Sequence, residues 1–213
     1  MGQAGSDGGG MITYSGVLVT PENQEAPSLL DIAVHLGRQP RFGGATVRPW
    51  TVLLHSLVCE RLMSIGHPAP LPMLHALLHD AHEAITCDVP STWKNPETRR
   101  QQWELDVRIF RSLRIPIPDW ETEGWITEVD VKAVVAEGMM YGPPGIARWF
   151  GIEPDEAALD IASDVGTRYL TAQDTDGPNA PAVLEFLSVA DNLLNSWRES
   201  LHGGSEWVRK PKG

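Results

Sequence analysis

An imidazole and a carboxylate stand side by side at His79-Asp80, at the end of an apolar run within residues 74–94, LHALLHDAHEAITCDVPSTWK. Such a pair can converge on one divalent cation, because a neutral imidazole offers a nitrogen lone pair and a carboxylate a hard anionic oxygen. His75, His79 and Glu83 recur every four residues, which on a continuous helix stacks them along one face with Asp80 on its flank. Asp88 and Lys94 follow in the loop beyond. One short stretch therefore supplies metal-ligand types, a carboxylate for acid–base work and a cation for phosphate. A helix ending in His-Asp can equally be capped and solvated, so the dipeptide by itself does not identify a metal site.

The elements that must position these residues read as helices. Ser28 can cap a helix whose apolar stripe is Leu29, Leu30, Ile32, Ala33 and Leu36. Residues 39–49, QPRFGGATVRP, hold two glycines and two prolines and form a loop containing Arg41 and Arg48. A buried helix is expected over residues 50–63, and His55 interrupts its apolar pattern; a histidine so placed is commonly a satisfied core residue. Gly66, Pro68 and Pro70 then turn the chain back, so that a helix over residues 72–82 runs antiparallel to the first. Two antiparallel helices whose histidines face each other form a workable metal cradle.

Asn95-Pro96 opens a further helix, with core contacts from Trp103, Leu105, Val107, Ile109, Phe110 and Leu113. RIPIPDW at residues 114–120 is a break, and helical spacing returns over residues 125–140, where Asp130 and Glu137 lie two turns apart on one face. Two more helices are expected over residues 155–170 and 181–201, with RWFGIEP before them and the loop QDTDGPNAP between. Strand-like alternation is nearly absent and no repeat is visible. The expectation is an all-α bundle of about six or seven helices in a single domain over residues 14–202. Residues 14–27 form an extended arm on it, 1–13 a glycine-rich disordered leader, and 203–213 a flexible tail.

Composition narrows the function classes. A length of 213 residues suits one well-buried domain. The net charge of −11 argues against nonspecific binding to duplex nucleic acid, which depends on clustered Lys and Arg. An anionic substrate would need locally concentrated positive charge or a metal. Cys59 and Cys87 fit no zinc-knuckle or disulfide framework, which favours a reducing, cytoplasmic setting. No apolar run approaches the roughly 20 residues that span a bilayer, so no membrane partner is expected. A homo-oligomer is as compatible with these patterns as a monomer.

The order H-D-x-x-E, then Asp88, Pro90 and Lys94, resembles the segment HDAxEAxxxDxPxxxK of the HD-domain phosphohydrolases, in particular the bacterial 5'-deoxynucleotidases and the phage dATP triphosphohydrolases. The stretch from Arg41 to Ser56 is similar to the RFxGxT…HS of the phage members, and Asp130 with Glu137 matches their later helix. The resemblance covers roughly residues 28–140, about half the chain. It implies that His55, His79, Asp80 and Asp130 bind a divalent cation (Zn, Co, Mn or Mg) with positions left for water and a phosphate oxygen. Glu83 and Asp88 would form the catalytic pair, and Arg41 and Lys94 would hold phosphate oxygens. Phe42 would pack against a deoxy sugar, with Gly43 and Gly44 allowing close approach. One departure is that Thr127 and Glu128 stand where family members often carry a basic residue, Lys132 lying just after Asp130 instead. His75 and His82 match no family role and are read as structural.

The activity so implied is metal-dependent hydrolysis of a small deoxynucleotide, in the host cytoplasm if the chain is phage-encoded. A triphosphohydrolase favouring dATP, releasing deoxynucleoside and triphosphate, is the first expectation. A 5'-deoxynucleotidase acting on monophosphates is the second, and a noncatalytic nucleotide-binding HD protein the third.

Overall fold

Side-chain capping starts most of the long helices. In the computed structural model, which describes residues 9–143, 145–146, 151–170 and 180–202, Ser28 accepts from the Asp31 amide while the Asp31 carboxylate accepts from the Ser28 amide, a reciprocal box that opens α1 (Leu29–Leu36). Thr51 caps α2 (Val52–Gly66), and Pro70 sits in the first turn of α3 (Pro70–Leu78). A single turn, α4 (Glu83–Thr86), follows. Asn95 caps α5 (Pro96–Leu113), Asp119 caps α6 (Trp120–Tyr141) and Asp155 caps α7 (Glu156–Tyr169); α8 (Ala180–His202) closes the described chain. The fold is an all-α bundle, with seven helices of eight residues or more among the described residues.

The rod at its centre is α2. Of its residues, all from Val52 to Glu60 are buried, as are Leu62 and Met63, and α1, α3, α6, α7 and α8 all pack on it. A helix buried on every side has no polar stripe to show, so a histidine within it must find partners inside the bundle. The core continues through Trp50, Leu74, Leu77, Ala133, Ala162 and Phe186. No helix among the described residues is long and apolar enough to cross a membrane.

Three expectations about element boundaries change. The helix expected over residues 72–82 ends at Leu78: the amides of Ala81, Glu83, Ala84 and Ile85 reach back only three residues, a tightened 3₁₀-like connection into α4. Helix α6 begins at Trp120, five residues before the expected start, because Asp119 caps it within what reads as the proline break. The arm over residues 14–27 is joined by Met11–Ile12, which pairs antiparallel with Leu18–Val19 in a two-stranded hairpin. Ser15 docks that hairpin on α1 through its amide and hydroxyl, 2.7 and 2.8 Å from the two Asp31 oxygens. Residues 1–8 of the expected leader, the tail over 203–213, residues 148–150 of RWFGIEP and most of QDTDGPNAP lie outside the described residues.

Candidate metal centre and phosphate cleft

Three helices bring the metal-type side chains together. His55 comes from the middle of α2, His79 and Asp80 from the end of α3, and Asp130 from α6. His55 Nε2 lies 3.1 Å from Asp130 Oδ1, 3.3 Å from His79 Nε2 and 3.7 Å from Asp80 Oδ2. His79 Nε2 lies 3.3 Å from Asp80 Oδ2 and 3.9 Å from Asp130 Oδ1. His55, His79 and Asp130 thus belong to one group of ligand atoms within 4.8 Å, while Asp80, close to both rings, groups with His82 and Glu83.

The outer nitrogens of the two rings decide what the inner ones can do. His79 Nδ1 is 2.8 Å from the Ala76 carbonyl, which can only accept, so Nδ1 carries the proton. His55 Nδ1 lies 2.9 and 3.1 Å from the two oxygens of the fully buried Glu137, which accept in the same way. Both Nε2 atoms therefore face inward, 3.3 Å apart beside two carboxylates, each able to bear a second proton or to give its lone pair to a cation. That arrangement needs positive charge between the rings. Nitrogens about 2.0–2.1 Å from a common ion lie about 2.9–3.4 Å apart between right and tetrahedral angles, and the observed spacing falls inside that range. The side chains fit a divalent cation, and Glu137 is the outer partner that fixes the His55 tautomer.

Proton affinities carry the same message. Burial opposes charge on His79, but Asp80 and Asp130 outweigh it and lift the ring to about 10. Burial and Arg41 likewise oppose charge on His55, and Cys59, Glu137 and Asp130 together hold it well above the ordinary histidine value. Asp80, despite burial, is held well below the carboxylate range by His79, Arg41 and His55, and Asp130 is lowered by both histidines against its own burial. A site that draws protons onto two imidazoles so strongly is one in which a cation can take the protons' place.

A cleft of about 290 Å³ opens beside the cluster, lined by Arg41, Phe42, Gly43, Asp80, Glu83, Asp88, Lys94 and Asp130. Of the remaining sequence-derived site residues, Arg41, Phe42, Gly43, Glu83, Asp88 and Lys94 are in this lining and Gly44 is not. The 3₁₀-like connection after Leu78 places Asp80 and Glu83 one tight turn apart, the i, i+3 spacing that eclipses side chains. It also corrects the expected single helical face. Glu83 lies beyond the end of α3, and His75 turns away, its Nε2–H donating to the Pro116 carbonyl at 2.9 Å and its ring tilted on Phe110.

Glu83 is the anomalous carboxyl of the cleft. Burial, then Asp80 and Asp88, push it up to about 8, and its Oε2 has no partner, while Lys94 Nζ is 3.6 Å from Oε1. Asp88 is raised as well, chiefly by burial. Arg41 is buried, 3.4 Å from Asp80 and 4.0 Å from Glu137, so its guanidinium already leans on the acidic cluster. Phe42 and Gly43 adopt left-handed backbone angles, φ 54° and 61°, in a turn pinned by the Arg41 amide donating to the Trp50 carbonyl. An aromatic residue in that region of φ/ψ space is an outlier that the surrounding turn must hold.

Sequence reasoning assigned no role here to Cys59, Glu137 or Asp106. Cys59 Sγ lies 3.5 Å from His55 Nε2 and groups with His55, His79 and Asp130. Asp106 accepts from His82 Nδ1 at 3.0 Å, and His82, whose Nε2 has no partner, groups with Asp80 and Glu83 as a second set of metal-type side chains. The visible signals were spacing ones, Cys59 one turn beyond His55 and Glu137 two turns beyond Asp130.

No family model matches the chain. Over 96 residues, 44% of its length, the chain is 30% identical to the uncharacterized protein YfdR of Escherichia coli (strain K12), and it spans about half, 51%, of that protein's length.

Proposed function

We propose that this chain is a divalent-metal-dependent phosphohydrolase of small deoxynucleotides. The observation that carries the reading is the pair of inward-facing Nε2 atoms 3.3 Å apart, flanked by Asp80 and Asp130, which also line a cleft that holds Arg41 and Lys94. Clefts with a cation site on one wall and fixed positive side chains on the other suit a phosphate ester. When bound, a divalent cation there would acidify water and offset charge on a phosphate oxygen.

The chain's own groups divide the remaining work. Glu83, with a pKa near 8, holds a proton at neutral pH and can pass it to the leaving oxygen; positive charge brought into the site would draw that value down. Asp88, on the same wall, can accept a proton from water. Lys94 places an ammonium beside Glu83 where a phosphate oxygen can take it over. Arg41 keeps Asp80 ionised and offers its remaining N–H groups to the cleft. Phe42 presents the flat face against which a deoxy sugar can rest.

The likeness of the Arg41 loop to that of the phage enzymes supports a dATP-favouring triphosphohydrolase. Two features favour a 5'-deoxynucleotidase instead: the cleft is at the lower end of the roughly 300–1,000 Å³ usual for small-molecule sites, and Arg41 and Lys94 are the cations in its described lining. Incubating the purified protein with each dNTP and dNMP in the presence of Mn²⁺, Co²⁺ or Mg²⁺ and following phosphorus NMR separates them. Triphosphate identifies the first and orthophosphate from dNMPs the second. No release of any phosphate from any of these substrates overturns the hydrolase reading.

A further inference from the structure

Cys59 is fully buried in α2, one turn beyond His55, and belongs to the hydrophobic core. Its sulfur does not point into that apolar packing alone. Sγ lies 3.5 Å from His55 Nε2, the inward-facing nitrogen, and 4.0 Å from Nδ1, the one turned to Glu137, and ligand atoms of Cys59, His55, His79 and Asp130 all lie within 4.8 Å of one another.

We propose that Cys59 is a thiolate ligand of the same cation, so that the site selects a thiophilic divalent metal such as Zn²⁺, Fe²⁺ or Co²⁺ over Mg²⁺; this rests on the metal-centre reading above. The geometry is that of neighbours on one coordination sphere. With sulfur about 2.3 Å and imidazole nitrogen about 2.0–2.1 Å from an ion, their separation runs from about 3.1 Å at a right angle to about 3.6 Å at a tetrahedral one. The observed 3.5 Å lies within it. A thiol whose proton is displaced by the ion joins Asp80 and Asp130 as an anionic donor, and Arg41 against Asp80 offsets part of the excess negative charge. Two imidazoles with one thiolate form a borderline-soft set, whereas Mg²⁺ is held by oxygen donors and water.

Co²⁺ alone is the probe. The purified protein, stripped with a chelator and reloaded with Co²⁺, is expected to show visible d–d bands and a near-ultraviolet sulfur-to-cobalt charge-transfer band. Cys87→Ala should retain that band, since Cys87 is exposed and outside the cluster. The near-isosteric Cys59→Ser should lose it while keeping the d–d bands and far-ultraviolet circular dichroism. Because even outer partners of metal ligands are worth about 10–100-fold in affinity, the Zn²⁺ affinity of Cys59→Ser should fall at least about tenfold relative to its Mg²⁺ affinity. A wild-type protein that binds Co²⁺ without the charge-transfer band, or a Cys59→Ser protein that keeps it, overturns the ligand assignment and leaves the metal centre standing. A wild-type protein that binds no Co²⁺ overturns both.

Discussion

The buried imidazole wall behind the cleft and the loop wall that lines it are held by different means. On the first, His55 and Glu137 are fully buried on α2 and α6, and each ring nitrogen facing outward is spoken for by a carboxylate or a carbonyl. On the second, Phe42 and Gly43 sit in a left-handed turn, and Asp88 and Lys94 come from the irregular segment between α4 and α5. Helices with packed neighbours fix donor atoms to the tolerance a metal needs, while loops leave room for a ligand to enter and be compared. Substitutions on the first wall should therefore act through the metal, and those on the second through rate or selectivity with the metal in place.

The largest expected effect is on the first wall. His79→Ala or Asp80→Ala removes a donor from the four-residue set, and both stoichiometric metal and turnover should vanish together, as read by elemental analysis of the dialysed protein and by phosphate release. A His79→Ala protein that keeps its metal and its activity would move the centre elsewhere.

Glu83 tests the boundary between the walls. It follows Asp80 by one tight turn but carries a raised pKa and an unpartnered oxygen, features of a proton carrier more than of a ligand. Glu83→Ala should keep the metal and lose about 10²–10⁴-fold in kcat, the usual worth of general acid–base catalysis. In the wild type a group that must be protonated to act loses function as pH rises through its pKa. The rate should accordingly show an alkaline limb at or below about pH 8, absent from the residual activity of Glu83→Ala. Metal loss in that variant would place Glu83 among the ligands and dissolve the distinction.

Glu137 should give a smaller effect of the other kind. It would act on a bound metal chiefly through His55, with Arg41 4.0 Å away, so Glu137→Gln, which keeps the shape and weakens the acceptor, should cost about 10–100-fold in metal affinity. At saturating metal kcat should recover. A fall in kcat that saturating metal does not restore would make Glu137 more than a positioning residue.

How much of this could be read from sequence follows the same divide. The helices bearing His55 and Asp130 were legible from apolar periodicity, and α1 and α5 also from the end signals Ser28 and Asn95-Pro96, because these are local properties of the chain. The stop at Leu78 was not, since no glycine or proline marks it, although the backbone beyond closes in three-residue hydrogen-bonded turns. Asp119 does announce α6, but it is masked by the two prolines just before it. Cys59 read only as a cysteine outside any zinc-knuckle or disulfide framework, and Glu137 as a matched position without a task, because which buried atom meets which is a property of helix packing. Arg41 read as a free phosphate cation for a related reason. Its leaning on Asp80 and Glu137 exists only once α2, α3 and α6 have assembled.

The smallest effect belongs to the loop wall, where Phe42 is assigned the reading of the sugar. A flat apolar ring against C2' leaves a ribose hydroxyl buried without a partner, at a cost of about 1–3 kcal/mol. That corresponds to roughly a ten- to hundred-fold preference for the deoxy sugar. The ring is half-buried, packs at the edge of the core and stands 5.9 Å from the Arg41 guanidinium, so it could instead serve only to seat the turn. The left-handed φ of 54° makes the competition sharp, because a residue kept there merely for packing would be a costly choice where Gly43 follows with the same backbone angle. Phe42→Ala should leave metal content unchanged and lower the ratio of kcat/KM for dATP over ATP, or for dAMP over AMP, by about tenfold or more. Equal losses on both sugars would assign the ring to seating the turn and return the choice of sugar to another part of the cleft.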